Sequence, residues 1–378
     1  MRATTRAVMA QFFVAGAAFA AWGVQIPDIK SRFGLSDFVL SFAMLTVAGG
    51  AIIAMGSIGR WATRIGSTRA STISGVVFAL ATALIPWMPN FEILLVLLLV
   101  LGMAMAGFDV TMNVQAAAVE ERGRQPIMST LHGMFSVGGM IGAGLGGLAA
   151  LAELPSWAYP AGIGVMTLAA IAAGRPYLLA DAPADGEAAP IHRGRAPAAL
   201  WVLGFFAFLG LICEGAMYDW ASVYLRDVAR AAPQLASYGY AAFSTGMACG
   251  RFAADPLRRR IGDERTLAIS AWMGFGGITL AVCLPQPAWT LAGFLLMGLG
   301  VANLMPFFFL AGARLPGMSP AQGVAAIARW AYSGMLLGPA IIGGITHHSS
   351  LRVALGAVAA IMGLIAAIGI RRVSRIRG

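Results

Sequence analysis

Four ionisable residues stand inside stretches of the sequence that are otherwise apolar: Asp109, His132, Glu214 and Arg329. Asp219 follows five positions after Glu214. Ionisable groups in a membrane-spanning run cost about 2.5 kcal/mol or more on insertion scales, so each marks a candidate site. A carboxyl in a low-dielectric cavity can take up and release a proton, and Asp109 offers that chemistry. Its plainer alternative is a structural carboxylate held by a nearby cation. Glu214 can accept a second proton or gate the site, and pairing with a neighbouring helix fits it equally. His132 can relay a proton from Asp109 or simply hydrogen-bond in a packed interior. Arg329 keeps its proton, so it must pair with Asp109 or Glu214, bind an anionic solute, or do both.

Neutral polar groups can grip hydroxyls without the desolvation cost of charge, and Gln25, Asn113 and Asn303 are such groups within apolar stretches. Trp22, Trp330 and Tyr332 can stack on a sugar ring or an apolar solute. Enzyme chemistry finds no support. No G-x-x-x-x-G-K-[ST] loop occurs, and the one lysine is Lys30. Cys213, Cys249 and Cys283 lack metal-ligand spacing and read as small apolar fillers. No metal and no cofactor is expected.

The elements that must position these residues follow from composition. Hydrophobic residues make up 59 % of the chain and charged ones 11 %, against about 25 % charged in an average soluble domain. Mean hydropathy is +0.78. The apolar residues come in blocks that meet the ~20 residues a bilayer crossing needs. The spans read 7–28, 36–57, 70–88, 92–117, 128–151 and 155–174, then 198–222, 236–253, 265–284, 288–312, 321–345 and 351–370. The first is too long for a signal-peptide core and is expected to be retained. This is an all-α membrane protein of twelve helices, in two bundles at 1–174 and 198–378. The polar stretch 175–197 is expected to be a cytoplasmic linker. With the N-terminus inside, 20 Lys and Arg fall on the cytoplasmic side and 5 outside, which predicts an inner-membrane protein with both termini cytoplasmic. The net charge of +10 is explained by these clusters, and no nucleic-acid partner is expected.

Residues 64–74 (RIGSTRASTIS) and 260–270 (RIGDERTLAIS) are similar at an offset of 196. The same offset carries Gly102 onto Gly298, Gly138 onto Gly334 and Gly142 onto Gly338. One offset holding in separate places predicts two parallel six-helix repeats. A row of glycines in the fifth span predicts close helix packing.

The loop after the second span reads Gly59-x-x-x-Thr63-Arg64-x-Gly66-x-x-Arg69, which resembles the G-x-x-x-D-R-x-G-x-x-R signature of the major facilitator superfamily. Thr63 stands where Asp is usual, whereas the second copy keeps Asp255 ahead of Arg260. Gly107-Phe-Asp109-Val-Thr-Met-Asn113 with Leu131-His132-Gly-Met-Phe135 resembles its fucose-permease-like branch. That likeness implies the major facilitator fold and a gating role for the loop residues. It also implies a cavity-facing acid at Asp109 and a polar position at His132. Spans one, four and ten, carrying Gln25, Asn113 and Asn303, line the cavity in that family. The branch's further acid late in span one has no equivalent here, since Asp28 falls at the outer rim. The expected function is proton-coupled symport of a sugar or small polar metabolite by alternating access, with proton-coupled efflux as the alternative. The expected partners are that solute, protons and the lipid bilayer, and the expected unit is a monomer.

Overall fold

The computed structural model describes residues 2–124, 127–179, 198–315, 318 and 320–369. Residues 180–197 of the expected linker lie outside the described residues, as does the side chain of Asp255. The described residues form thirteen α-helices. The first six are α1 (Arg2–Arg32), α2 (Asp37–Ile65), α3 (Ser67–Leu84), α4 (Phe91–Gly123), α5 (Met128–Leu151) and α6 (Ala158–Gly174). The next are α7 (Ala198–Asp227), α8 (Ser237–Ile261), α9 (Asp263–Cys283), α10 (Pro287–Val301), α11 (Leu304–Gly312), α12 (Pro320–His348) and α13 (Leu351–Leu364). Short turns make successive helices run up and down. One end of the molecule, the base, carries Gly66 and Gly262, and the other, the crown, carries Lys30 and Asp227.

Among the described residues ten helical segments are long and apolar enough to cross a membrane. Helix α6 is 17 residues long, and α8 is the polar one, ending in Arg258, Arg259 and Arg260. Polarity is tolerated in α8 because α5 and α10 pack along it. At the base, α2, α4 and α8 run several residues past their apolar blocks, because the Ala, Arg and Glu found there continue a helix in water. The expected span 288–312 is instead broken between Val301 and Leu304. Pro306 is the cause: it has no N–H to bond the carbonyl of Ala302, and its ring crowds that carbonyl.

Gly66 joins α2 to α3 at φ 91°, and Gly262 joins α8 to α9 at φ 84°. That region of backbone space is open to glycine and strained for other residues. Between α2 and α4, a side chain on Gly102 would strike the carbonyl of Val47, and one on Gly50 that of Leu99. Between α8 and α10, Gly298 meets Phe243 and Gly246 meets Leu295 in the same way. Each of these four lies 196 residues after its counterpart.

The start of the expected linker is docked. Gln115 on α4 donates from Nε2 to the Leu179 carbonyl at 3.0 Å and accepts from the Leu179 amide at 2.9 Å. Thr68 on α3 donates to the same carbonyl at 2.9 Å.

Candidate functional site

A cavity of about 470 Å³ is lined by α1 to α5 on one side and by α7, α8, α9, α11 and α12 on the other. Its lining runs from Trp22 and Tyr218 down to Arg258 and Asp263, so it reaches the base. The crown is sealed. Lys30 Nζ lies 2.6 Å from Asp37 and 2.5 Å from Asp227, joining α1 and α2 to α7. Arg226 donates from Nη1 to the Pro27 carbonyl at 2.6 Å and to Ser31 Oγ at 2.9 Å. The rings of Phe38 on α2 and His347 on α12 sit 4.6 Å apart at the same level.

Asp109 faces this cavity from the base half of α4. Its Oδ1 accepts from Asn113 Nδ2 at 3.2 Å, one helical turn on, and the same amide donates to the Asp109 carbonyl at 2.9 Å. Asn113 therefore orients Asp109. Glu214 faces the cavity from α7 and Tyr332 from α12, and Tyr332 lies within electrostatic reach of both acids. His132 is also in the lining, its ring edge-on to Phe12 at 5.3 Å. Asn303 sits at the break before α11 and donates to Ser270 Oγ at 2.9 Å. That break turns the chain at the cavity wall. Trp22 lines the cavity with 1 % of its surface exposed.

Four expected site residues are placed elsewhere. Gln25 is buried and donates to the Ala21 carbonyl of its own helix at 2.8 Å. Trp330 stacks edge-on against Trp201 at 5.6 Å and packs over Gly204. Asn113 is spent on Asp109. Arg329 is exposed and, among the described residues, pairs with no carboxylate. It lies nine positions from the base end of α12 and is not part of the cavity lining.

Arg251 holds the place expected for Arg329. It reaches the cavity from α8, its Nη2 3.4 Å from Glu214 Oε1. Nη1 donates to Ser136 Oγ at 2.8 Å and to the His132 carbonyl at 3.1 Å, both on α5. In the sequence Arg251 is counted among the cytoplasmic charges although it falls within the expected span 236–253, and that position inside a span is the signal that it belongs inside. Asp219 also lines the cavity.

Of the residues expected to gate, Arg64, Arg69 and Arg260 are exposed at the base, and among the described residues nothing packs within side-chain distance of Gly59. Thr63 donates to the Arg60 carbonyl at 2.9 Å. In the second copy, Arg258 pairs with Asp263 at 2.7 Å.

Several chains similar in sequence or in shape are transporters. An uncharacterised transporter of the major facilitator type from Yersinia pestis is 35 % identical over 362 residues, covering 94 % of this chain and 92 % of that protein. Membrane protein MosC of Rhizobium meliloti is 34 % identical over 348 residues, covering 92 % and 85 %. Among solved structures, the nucleoside transporter NupG is similar at a TM-score of 0.74, with 12 % identity over 99 % of this chain and all of that one. A bacterial homologue of the human lysosomal transporter Spinster, inward-facing and occupied, is similar at 0.72, with 16 % identity over 98 % of this chain and 96 % of that one. These two likenesses are of fold alone. The family model described as Major Facilitator Superfamily matches residues 7–332. The chain is a multi-pass membrane transporter rather than an enzyme, and it belongs to the major facilitator superfamily.

Proposed function

We propose that this transporter carries a sugar or small polar metabolite together with protons, by alternating access, and that it lies nearest the fucose-permease-like branch. The observation that carries this reading is the facing of Asp109 from the first half and Glu214 from the second across one cavity. Carboxyls in such a place can exchange protons with water when the cavity is open and lose that contact when it closes. Tyr332 offers a flat face for a ring, Trp22 and Tyr218 back the wall with little exposed surface, and Asn303 offers an amide to a hydroxyl. Asp109, Glu214 and His132 form the proton path in this reading, and the base loops with Gly59, Arg64, Gly66, Arg69, Asp255 and Arg260 act as the gate.

The architecture in this proposal is twelve crossings in two parallel repeats, 1–174 and 198–378, within one monomer. Helices α6 and α8 supply the two crossings beyond the ten apolar ones, and α10 with α11 make one bent crossing. The matched glycine contacts 196 residues apart support the repeat. The base, with its many arginines, is assigned to the cytoplasm, and the described arrangement is then the inward-open one in an inner membrane.

Uptake of a labelled panel of neutral sugars and polar metabolites into vesicles, with and without an imposed pH gradient, tests the reading. Accumulation of a panel member that follows the gradient supports it. Gradient-driven expulsion would point to efflux instead, and transport indifferent to pH would remove the proton.

A further inference from the structure

Arg251 is a cavity cation whose donors are only partly engaged. A guanidinium has five N–H donors in a planar fork, and a well-fitted carboxylate takes two of them at about 2.8 Å. Nη1 is given to Ser136 and the His132 carbonyl, which fix the group in place. Glu214 reaches the fork through a single contact of 3.4 Å. The other arginine in the lining, Arg258, is held by Asp263 at 2.7 Å near the base.

The geometry points to Arg251 as the anchor for a carboxylate on the solute, with Glu214 as the group that releases the guanidinium when it takes a proton. The cargo is then an acidic, hydroxyl-bearing small molecule, of the sugar-acid class. This rests on reading the cavity as the solute site of an alternating-access carrier, and it makes the solute charge specific.

The charges balance in one way. With the site empty, the positive Arg251 and negative Glu214 sum to zero. A carboxylate solute arriving alone would set two anions against one guanidinium in a partly buried site. Arriving with a proton from the aqueous phase, it leaves a neutral Glu214 with a new O–H bond and a solute anion on Arg251, again summing to zero. No bond to the solute is made or broken. The other titratable groups around the pair are Asp109 from α4, His132 from α5, Tyr218 and Asp219 from α7, and Tyr332 from α12. Asp109 and Asp219 repel an anion when ionised, so they strengthen the demand for protons.

Thermal unfolding of the purified full chain in detergent, with glucose, glucuronate or glucosamine added, separates the possibilities. The three probes share a ring and differ in charge. In mildly acidic buffer glucuronate should bind about tenfold tighter than glucose, the lower end of what a charged hydrogen bond contributes, and this advantage should shrink in mildly alkaline buffer. Glu214→Gln should keep the advantage and flatten its pH dependence, leaving only the smaller part that Asp109 and Asp219 impose. Arg251→Gln should abolish it. Arg251→Lys, which keeps the charge and loses the fork, should reduce it and serves if the glutamine variant does not fold. A preference for glucosamine, or a glucuronate advantage that survives Arg251→Gln, overturns the proposal. Equal binding of glucose and glucuronate removes the anchor and leaves the sugar reading standing; no response to any probe removes both.

Discussion

Lys30 of α1 and Asp227 of α7 meet at 2.5 Å across the crown. The same ammonium holds Asp37 at 2.6 Å, so a single side chain ties three helices. Opening the crown requires this contact to break. Partly exposed ion pairs contribute about 1 kcal/mol or less each. Lys30→Ala should therefore raise the crown-open population about fivefold rather than unfold the protein. Spin labels on Ser156→Cys and Ser349→Cys, at the crown of either half, with Cys249 and Cys283 replaced by serine, would read the change as a longer distance. An unaltered distance distribution would mean that the seal rests on Arg226 and the Phe38–His347 contact.

The paired glycine contacts give a second test, of packing. Gly102 and Gly298 each lie under a backbone carbonyl of a neighbouring helix, Val47 and Phe243 respectively. Gly102→Val and Gly298→Val should each cost roughly 1–3 kcal/mol, because an overpacked contact forces the helices apart. The two losses, measured by unfolding in detergent, should be similar if the halves are built alike. A large cost at one position with none at the other would show that the halves pack differently.

Most of the helices were legible because apolar blocks of bilayer length announce themselves residue by residue. Their ends were less so: the apolar signal stops at the membrane surface, whereas α2 and α4 continue as helix to Ile65 and Gly123. The break before Leu304 carries a local signal in Pro306, but a proline inside a span is equally compatible with a mere bend. Asp109, Glu214 and His132, which line the cavity, stood out in the sequence because an ionisable group in an apolar run is costly. Arg251 did not, since it belongs to a polar helix whose burial comes from α5 and α10, and partners distant in sequence leave no local pattern. For Arg329 the residue type was informative and the depth misleading: nine residues into α12 is still near the open base.

That contrast makes the two arginines separable. Arg329→Gln should leave transport within about twofold of the parent, as is usual for an exposed side chain that pairs with no carboxylate among the described residues. Arg251→Gln strips Glu214 of its counter-charge and α5 of two hydrogen bonds, and should lower transport at least tenfold. Initial uptake rates of whichever solute the vesicle panel identifies, at matched expression, compare them directly. If Arg329→Gln proves the more damaging, the site lies lower, at the base mouth.

Coupling is the last prediction, and it rests on Asp109. A symporter must let the empty and fully loaded carriers move while holding back the half-loaded one. One carboxyl beside the solute can impose that rule. Ionised, it is costly to enclose between two closing halves; neutralised by a proton, it is not. Asp109→Asn imitates the protonated state in shape and charge, and its carbonyl can still accept the Asn113 amide that now reaches Oδ1 at 3.2 Å. The variant should therefore fold, bind solute and exchange internal for external solute at rates within a few-fold of the parent. What it should lose is accumulation driven by a pH gradient, because closure no longer waits for a proton. Counterflow and gradient-driven uptake in the same vesicles measure the two properties side by side. Accumulation equal to the parent's would make Asp109 a structural carboxylate and leave coupling to Glu214; loss of both activities would make it part of the solute's binding surface.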